Sequence, residues 1–382
     1  MTVSGGNSTE QNFTISCPEI AAPTHGTLWI SAAHGVTRGL VVGFSGSYGI
    51  VKWVENVGMD IAWLNNLNSD GYEVVQVQWA PPGWEPASPG EQAGPAHSAC
   101  RPATAIRWIY DNLYLGLHVA APTRGACGFC IAGTSGGASV VAYVLAYYGL
   151  DSIVNAAFPI SGPPHAAIKK GCLDEGGYGY DQIGGGEMAT ALIDSSWGYF
   201  HGSGPCTNHQ SSFSTQWNAE SADLGGASYN YPNTRVQVIL GGYDSPVIIH
   251  HAQDYVSRLE GAGSPMVSET TVPGMPHDIM GSASGLAVLR TAIEARGFGA
   301  NPTPSASAPP QASPSESPST TGGTSPPARF DIIAGFDRVN PVLMAGLIAA
   351  MVLCGTLMIV NRGSFLRQVR TWLGRARARR TP

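Results

Sequence analysis

The sequence predicts an α/β fold: a mostly parallel sheet flanked by helices and interrupted by one insert. Two observations predict it. Between residues 26 and 300, short apolar runs alternate with stretches whose apolar residues recur at helical spacing. Residues 163–231 break that rhythm, being rich in Gly, Tyr, Trp, Ser and Asn with no long periodic segment, as expected of a cap over a sheet.

The elements follow in order. "GTLWIS" (26–31) and "GLVVGFSG" (39–46) are strands, the second ending in glycines. "YEVVQVQW" (72–79) is a strand that stops before Pro81-Pro82. In "CRPATAIRWIYDNLYLG" (100–116), Pro102 marks a helix start, Ile106, Ile109, Tyr110 and Leu113 keep helical spacing, and Gly116 is a stop. "GFCIAG" (128–133) is a buried strand and 136–148 a helix apolar nearly all round. "VNAAFPIS" (154–161), "RVQVILGG" (235–242) and "SETTVPG" (268–274) complete the strands; helices over 247–261 and 284–296 close the domain. Residues 1–25 are expected to be an N-terminal extension.

Past this domain the composition changes. Residues 301–328 are a Pro/Ser/Ala/Thr linker, too poor in apolar surface to fold. The segment 339–360 is expected to cross a membrane, because "PVLMAGLIAAMVLCGTLMIV" (341–360) carries no charge over a length that spans a hydrocarbon core. Residues 361–382 hold seven arginines and no acid, which orients this tail to the cytoplasm and the large domain outward. Removing those seven from the 20 basic residues leaves 13 against 26 acidic ones. A body that acidic repels a phosphate backbone, so nucleic acid is not an expected partner. The first 20 residues contain no apolar leader stretch, so a signal peptide upstream of Met1 is expected for an outward-facing domain.

Of seven cysteines, Cys354 lies in the expected span; six remain, with fifteen possible pairings. An oxidising compartment favours disulfides, and a Cys172–Cys206 bond would staple the insert. Cys127 and Cys130, placed in a strand, are expected to point to opposite faces rather than act as a redox pair.

The chemistry centres on Gly133-Thr134-Ser135-Gly136-Gly137, which fits G-x-S-x-G. A buried strand enters it and an apolar helix leaves it, so Ser135 occupies a tight strand-to-helix turn. Here the chain resembles the α/β-hydrolase superfamily of serine esterases and lipases, over roughly residues 26–298. That resemblance implies a triad ordered Ser, acid, His on loops after successive strands. Asp244 in "YDSP" follows "RVQVILGG", and His277 in "MPHDIMG" follows "SETTVPG", with a terminal helix next.

Chemistry then distributes the roles. His277 activates Ser135 by taking its proton, and Asp244 holds the imidazole tautomer and stabilises the imidazolium. The backbone N–H of Gly136 is one expected oxyanion donor. The resemblance puts the second in "VGFSGS", where Val42 replaces a histidine many members carry. Phe44 N–H is expected there, with Ser45 as substitute. Asp254 and Asp223 are substitutes for Asp244. Trp79 and Trp84 are candidate pocket-lining residues. His34, His201, His209, His250 and His251 are expected on the surface or cap, and His250-His251 is not a metal pair. Asn7 and Asn12 match the glycosylation acceptor pattern.

The sequence thus predicts a membrane-anchored serine hydrolase, with no metal or organic cofactor, acting on a carboxylic ester or other small acyl substrate. A peptidase or acyltransferase would use the same triad, and a non-catalytic binding or adhesion protein is the alternative of another kind. Fold alone names no substrate. Oligomeric state is not encoded legibly.

Overall fold

The computed structural model describes residues 1–54, 58–183 and 186–297. The linker and the expected membrane segment at 339–360, with its arginine tail, lie outside the described residues. Among the described residues no helix is long and apolar enough to cross a membrane.

Nine strands form one sheet: β1 (Thr2–Gly6), β2 (Glu10–Cys17), β3 (Ile20–Ser31), β4 (Gly39–Phe44), β5 (Tyr72–Trp79), β6 (Phe129–Thr134), β7 (Ala156–Ile160), β8 (Arg235–Gly241) and β9 (Val267–Val272). Their spatial order is β1-β2-β3-β5-β4-β6-β7-β8-β9. From β5 to β9 every neighbouring pair is parallel, whereas β1, β2 and β3 run antiparallel to their neighbours. The helices are α1 (Gly58–Ser69), α2 (Pro95–Ser98), α3 (Cys100–Asn112), α4 (Gly136–Ala146), α5 (Ile168–Cys172), α6 (Gly186–Ser196), α7 (Ser214–Ala219), α8 (Pro246–Gly261) and α9 (Ala283–Glu294). This mixed sheet with flanking helices fits the α/β-hydrolase fold expected from the sequence.

Period-two alternation divides the strand residues between two cores. Leu40, Val42, Phe44, Phe129 and Ile131 pack with α3 and α4. Val41, Ala132 and Phe158 face the other way, against Trp63, Leu64 and Leu67 of α1 and Leu286, Leu289 and Ile293 of α9. Strands buried on both faces need apolar residues at every position, which is why they read as continuous runs.

Two expectations are corrected. The first 25 residues are not an extension: β1 and β2 belong to the sheet, and Phe13, Ile15 and Cys17 of β2 alternate into the core. Their polar partners, facing outward, diluted the apolar signal. Helix α1 escaped notice for a related reason, since its three main core residues lie within one short stretch. Cys127 and Cys130 are joined, not splayed, because β6 begins only at Phe129 and Cys127 lies in the turn before it. Cys17 pairs with Cys100, tying β2 to the start of α3, and Cys172 pairs with Cys206, stapling the insert.

The insert has its own small core of Ile168, Tyr180, Ile193, Trp197 and Trp217 around that disulfide. Where it meets the sheet, Glu85 and His165 face each other fully out of solvent, His165 Nδ1 lying 3.4 Å from Glu85 Oε1. Among the described residues neither carboxylate oxygen has a hydrogen-bond partner. Burial pushes Glu85 up to about 8 and His165 down to about 3, so the pair holds its proton on the carboxyl. The unfolded chain releases the Glu85 proton above about pH 4.5, while the folded one retains it to about 8. Folding stability contributed by this group therefore falls as pH rises through that window. Glu85→Gln should match wild-type stability near pH 5 and exceed it by roughly 2–4 kcal/mol at pH 7.5. Urea unfolding at both pH values measures the difference; a gap that does not widen with pH removes the neutral carboxyl.

Candidate active site

Ser135, Asp244 and His277 all lie just past the carboxyl ends of parallel strands, after β6, β8 and β9 respectively. Ser135 sits between β6 and α4 with φ +55° and ψ −115°, a region L-residues avoid. The turn is tolerated because its neighbours lack side chains. A Cβ on Gly133 would run into the Gly137 carbonyl, and one on Gly136 into the Ser47 carbonyl. Ser135 N–H donates to Ile160 C=O at 2.8 Å, fixing the turn to the end of β7. The strained geometry leaves the Ser135 side chain partly exposed at the tip of the turn, and its hydroxyl makes no hydrogen bond to the described residues.

Asp244 and His277 are brought together. His277 Nδ1 lies 2.9 Å from Asp244 Oδ1, which also accepts the Ser245 N–H at 2.7 Å. The Asp244 side chain is 0% exposed against 42% for His277, so a fixed carboxylate faces a ring still open to solvent. An ionised Asp244 draws the imidazole proton to Nδ1, leaving the Nε2 lone pair to act as base. Of the substitute acids, Asp254 is engaged by Lys170 and Tyr178. Asp223 is buried beside that group, which pushes its carboxyl up to about 7.

The helix start at Gly136 supplies a spare donor. The first intrahelical bonds of α4 are those from Ala138 and Ser139 N–H to Ser135 C=O, so Gly136 N–H has no partner among the described residues. Phe44 is different. Leu40 N–H donates to Gly128 C=O on the β6 side, and the parallel register carries the same direction to Phe44, whose N–H is taken by Ala132 C=O. Phe44 is therefore a ladder residue and not an oxyanion donor. Beyond it the turn Ser45–Ser47 bends against the nucleophile: a Cβ on Gly46 would approach Ser135 Cβ to 3.3 Å. Only the register reveals which N–H groups are spent, and the residue string carries no trace of it.

Trp79 and Trp84 do not line a pocket. They are 1% and 0% exposed, Trp79 meeting Phe13 edge-on at 5.2 Å and Trp84 leaning on Tyr143 at 6.5 Å. Aromatics at a strand end serve core and pocket equally well, and here the core claims them. His251 is also buried, its Nδ1 accepting from Ala167 N–H and its ring stacked on Tyr180; burial pushes it down to about 4. Open space lies instead beside the Ser45–Ser47 turn, lined by neither Ser135 nor His277. A cavity of about 450 Å³ runs from Gly46 and Thr134 past Trp53 to Asp278 and Met280. Trp53 holds one wall in place, its Nε1 donating to Thr134 Oγ1 at 3.3 Å and its ring edge-on to Trp63. Among the described residues no group of His, Cys, Asp and Glu is arranged to hold a metal ion.

No protein-family model matches the chain. No curated protein matches it either. Among solved structures it is similar to a hyperthermophilic esterase from the archaeon Pyrobaculum calidifontis, at 18% identity over 75% of this chain and 83% of that one, with a TM-score of 0.46. It is similar to an acylaminoacyl peptidase from Pyrococcus horikoshii at 11% identity, covering 76% of this chain but only 40% of that one, with a TM-score of 0.45. Est1E from Butyrivibrio proteoclasticus matches at 14% identity over 74% of this chain and 96% of that one, with a TM-score of 0.43. Similarities this distant leave what the chain does to the geometry of its own residues.

Proposed function

We propose that the chain is a serine hydrolase that cleaves a carboxylic ester through an acyl-enzyme. The observation that carries this reading is the hydrogen-bonded Asp244–His277 pair, set past the carboxyl ends of the same sheet whose β6 leads into a serine held at φ +55°. Ser135 Oγ attacks the ester carbonyl while its proton passes to His277 Nε2. The tetrahedral oxyanion is held by Gly136 N–H, with the backbone of the Gly46–Ser47 turn beside it as the source of a second donor. The alkoxide leaves with the His277 proton, and water, deprotonated by the same imidazole, releases the acid. Nothing in this sequence of steps calls for a cofactor.

Labelling with a fluorophosphonate probe and peptide mapping tests the proposal. Modification at Ser135 supports it; folded protein left unlabelled favours a binding module on the same fold.

The sequence of residues 339–360 supports a second element of the proposal, a membrane helix that carries the domain outside on the 301–328 linker. With full-length protein in cells, alkaline carbonate should leave it in the membrane pellet, and added protease should digest the domain while the cells stay intact. Release by carbonate, or a protected domain, overturns anchoring or orientation respectively.

A further inference from the structure

Two consecutive residues at the end of β7 touch all three segments that carry the site. Ile160 C=O accepts the Ser135 N–H at 2.8 Å. Ser161 N–H donates to Ile239 C=O at 2.8 Å, on the strand that leads to Asp244. Ser161 Oγ donates to the backbone carbonyl of His277 at 2.6 Å. Among the described residues this is the only hydrogen bond reaching the His277 backbone from outside its own loop; the same carbonyl otherwise accepts from Ile279 N–H at 3.0 Å.

We propose that Ser161 is a positioning residue for His277, a role that rests on reading His277 as the base. Its backbone carries the signature of a residue kept for its side chain. Ser161 is 0% exposed and has φ +49°, where glycine fits freely and an L-residue is strained. Packing alone would be served as well by glycine, with less strain. What glycine cannot supply is the hydroxyl that clamps the His277 carbonyl. Asp244 fixes the imidazole from its Nδ1 edge, and Ser161 fixes the backbone from which the ring hangs. Together they limit both ends of the side chain, and β7 refers that position to Ser135. Misplacing a base by about 1 Å is enough to cost on the order of 100-fold in rate.

Ser161→Gly separates this role from a structural one, because it removes the hydroxyl while relieving the strained φ. With p-nitrophenyl acetate as substrate, kcat should fall about 10- to 100-fold, KM should stay within about threefold, and Tm should hold or rise. The rate of fluorophosphonate labelling at Ser135 should fall in step with kcat. Ser161→Ala, which keeps the strain, should lose the same kcat at a lower Tm. A Ser161→Gly protein with kcat within about twofold of wild type overturns the positioning role, as does a kcat loss accompanied by a matching fall in Tm. A wild-type protein that neither labels nor turns over overturns the reading of the whole site. An active wild type with an unimpaired Ser161→Gly variant overturns Ser161 alone.

Discussion

Ser135→Ala should lower ester turnover by about 10,000-fold or more, because no other group can form the acyl-enzyme. Loss of turnover is informative only if the turn survives, and alanine at φ +55° keeps the backbone strain of the serine. The variant should therefore melt close to wild type, bind a non-hydrolysable substrate analogue and take up no fluorophosphonate. Ser135→Gly sharpens the comparison: it removes the same hydroxyl while relaxing the turn, so it should be equally inactive and at least as stable. Residual turnover above about one per cent of wild type in either variant would transfer the chemistry to another residue.

The second large effect belongs to Asp244→Asn. The carboxylate is fully buried and its Oδ1 accepts from both His277 Nδ1 and Ser245 N–H. An asparagine fills the same space, but an amide N–H directed at the ring selects the tautomer with the proton on Nε2. His277 would then face Ser135 with a donor instead of a lone pair, and kcat should drop by about 10,000-fold with KM little changed. Oδ2 has no hydrogen-bond partner among the described residues, so little else depends on the charge. Single-turnover kinetics with a chromogenic ester would show the loss in the acylation step. A loss of less than tenfold would return the acid role to another carboxylate, with Asp223 and Asp254 next in order.

The site was legible to different depths. Ser135 and Asp244 each follow a strand whose apolar run is visible in a single window, whereas the strand before His277, "SETTVPG", is mostly polar, so His277 was proposed from chain order. Strand β5 was found to the residue, because "YEVVQVQW" is bounded by Gly71 and by Pro81-Pro82. Strand β2 was not, because only alternate residues face the core and the rest are polar. Trp79 and Trp84 went wrong in the opposite sense: their chemistry suits a pocket, yet Phe13 and Tyr143 close over them.

By itself the sequence determined the alternation of strands and helices, the turn that holds Ser135, and the order in which serine, acid and histidine occur. These are local properties, set by side-chain period, glycine placement and chain order. Tertiary structure alone decided that Phe44 N–H is spent in the sheet, that the Ser45–Ser47 turn lies against the nucleophile, and that Ser161 clamps the His277 carbonyl. The physical reason is that a backbone donor's fate depends on the register of a neighbouring strand. That register joins residues about 90 to 115 positions apart here, a separation over which no local pattern extends.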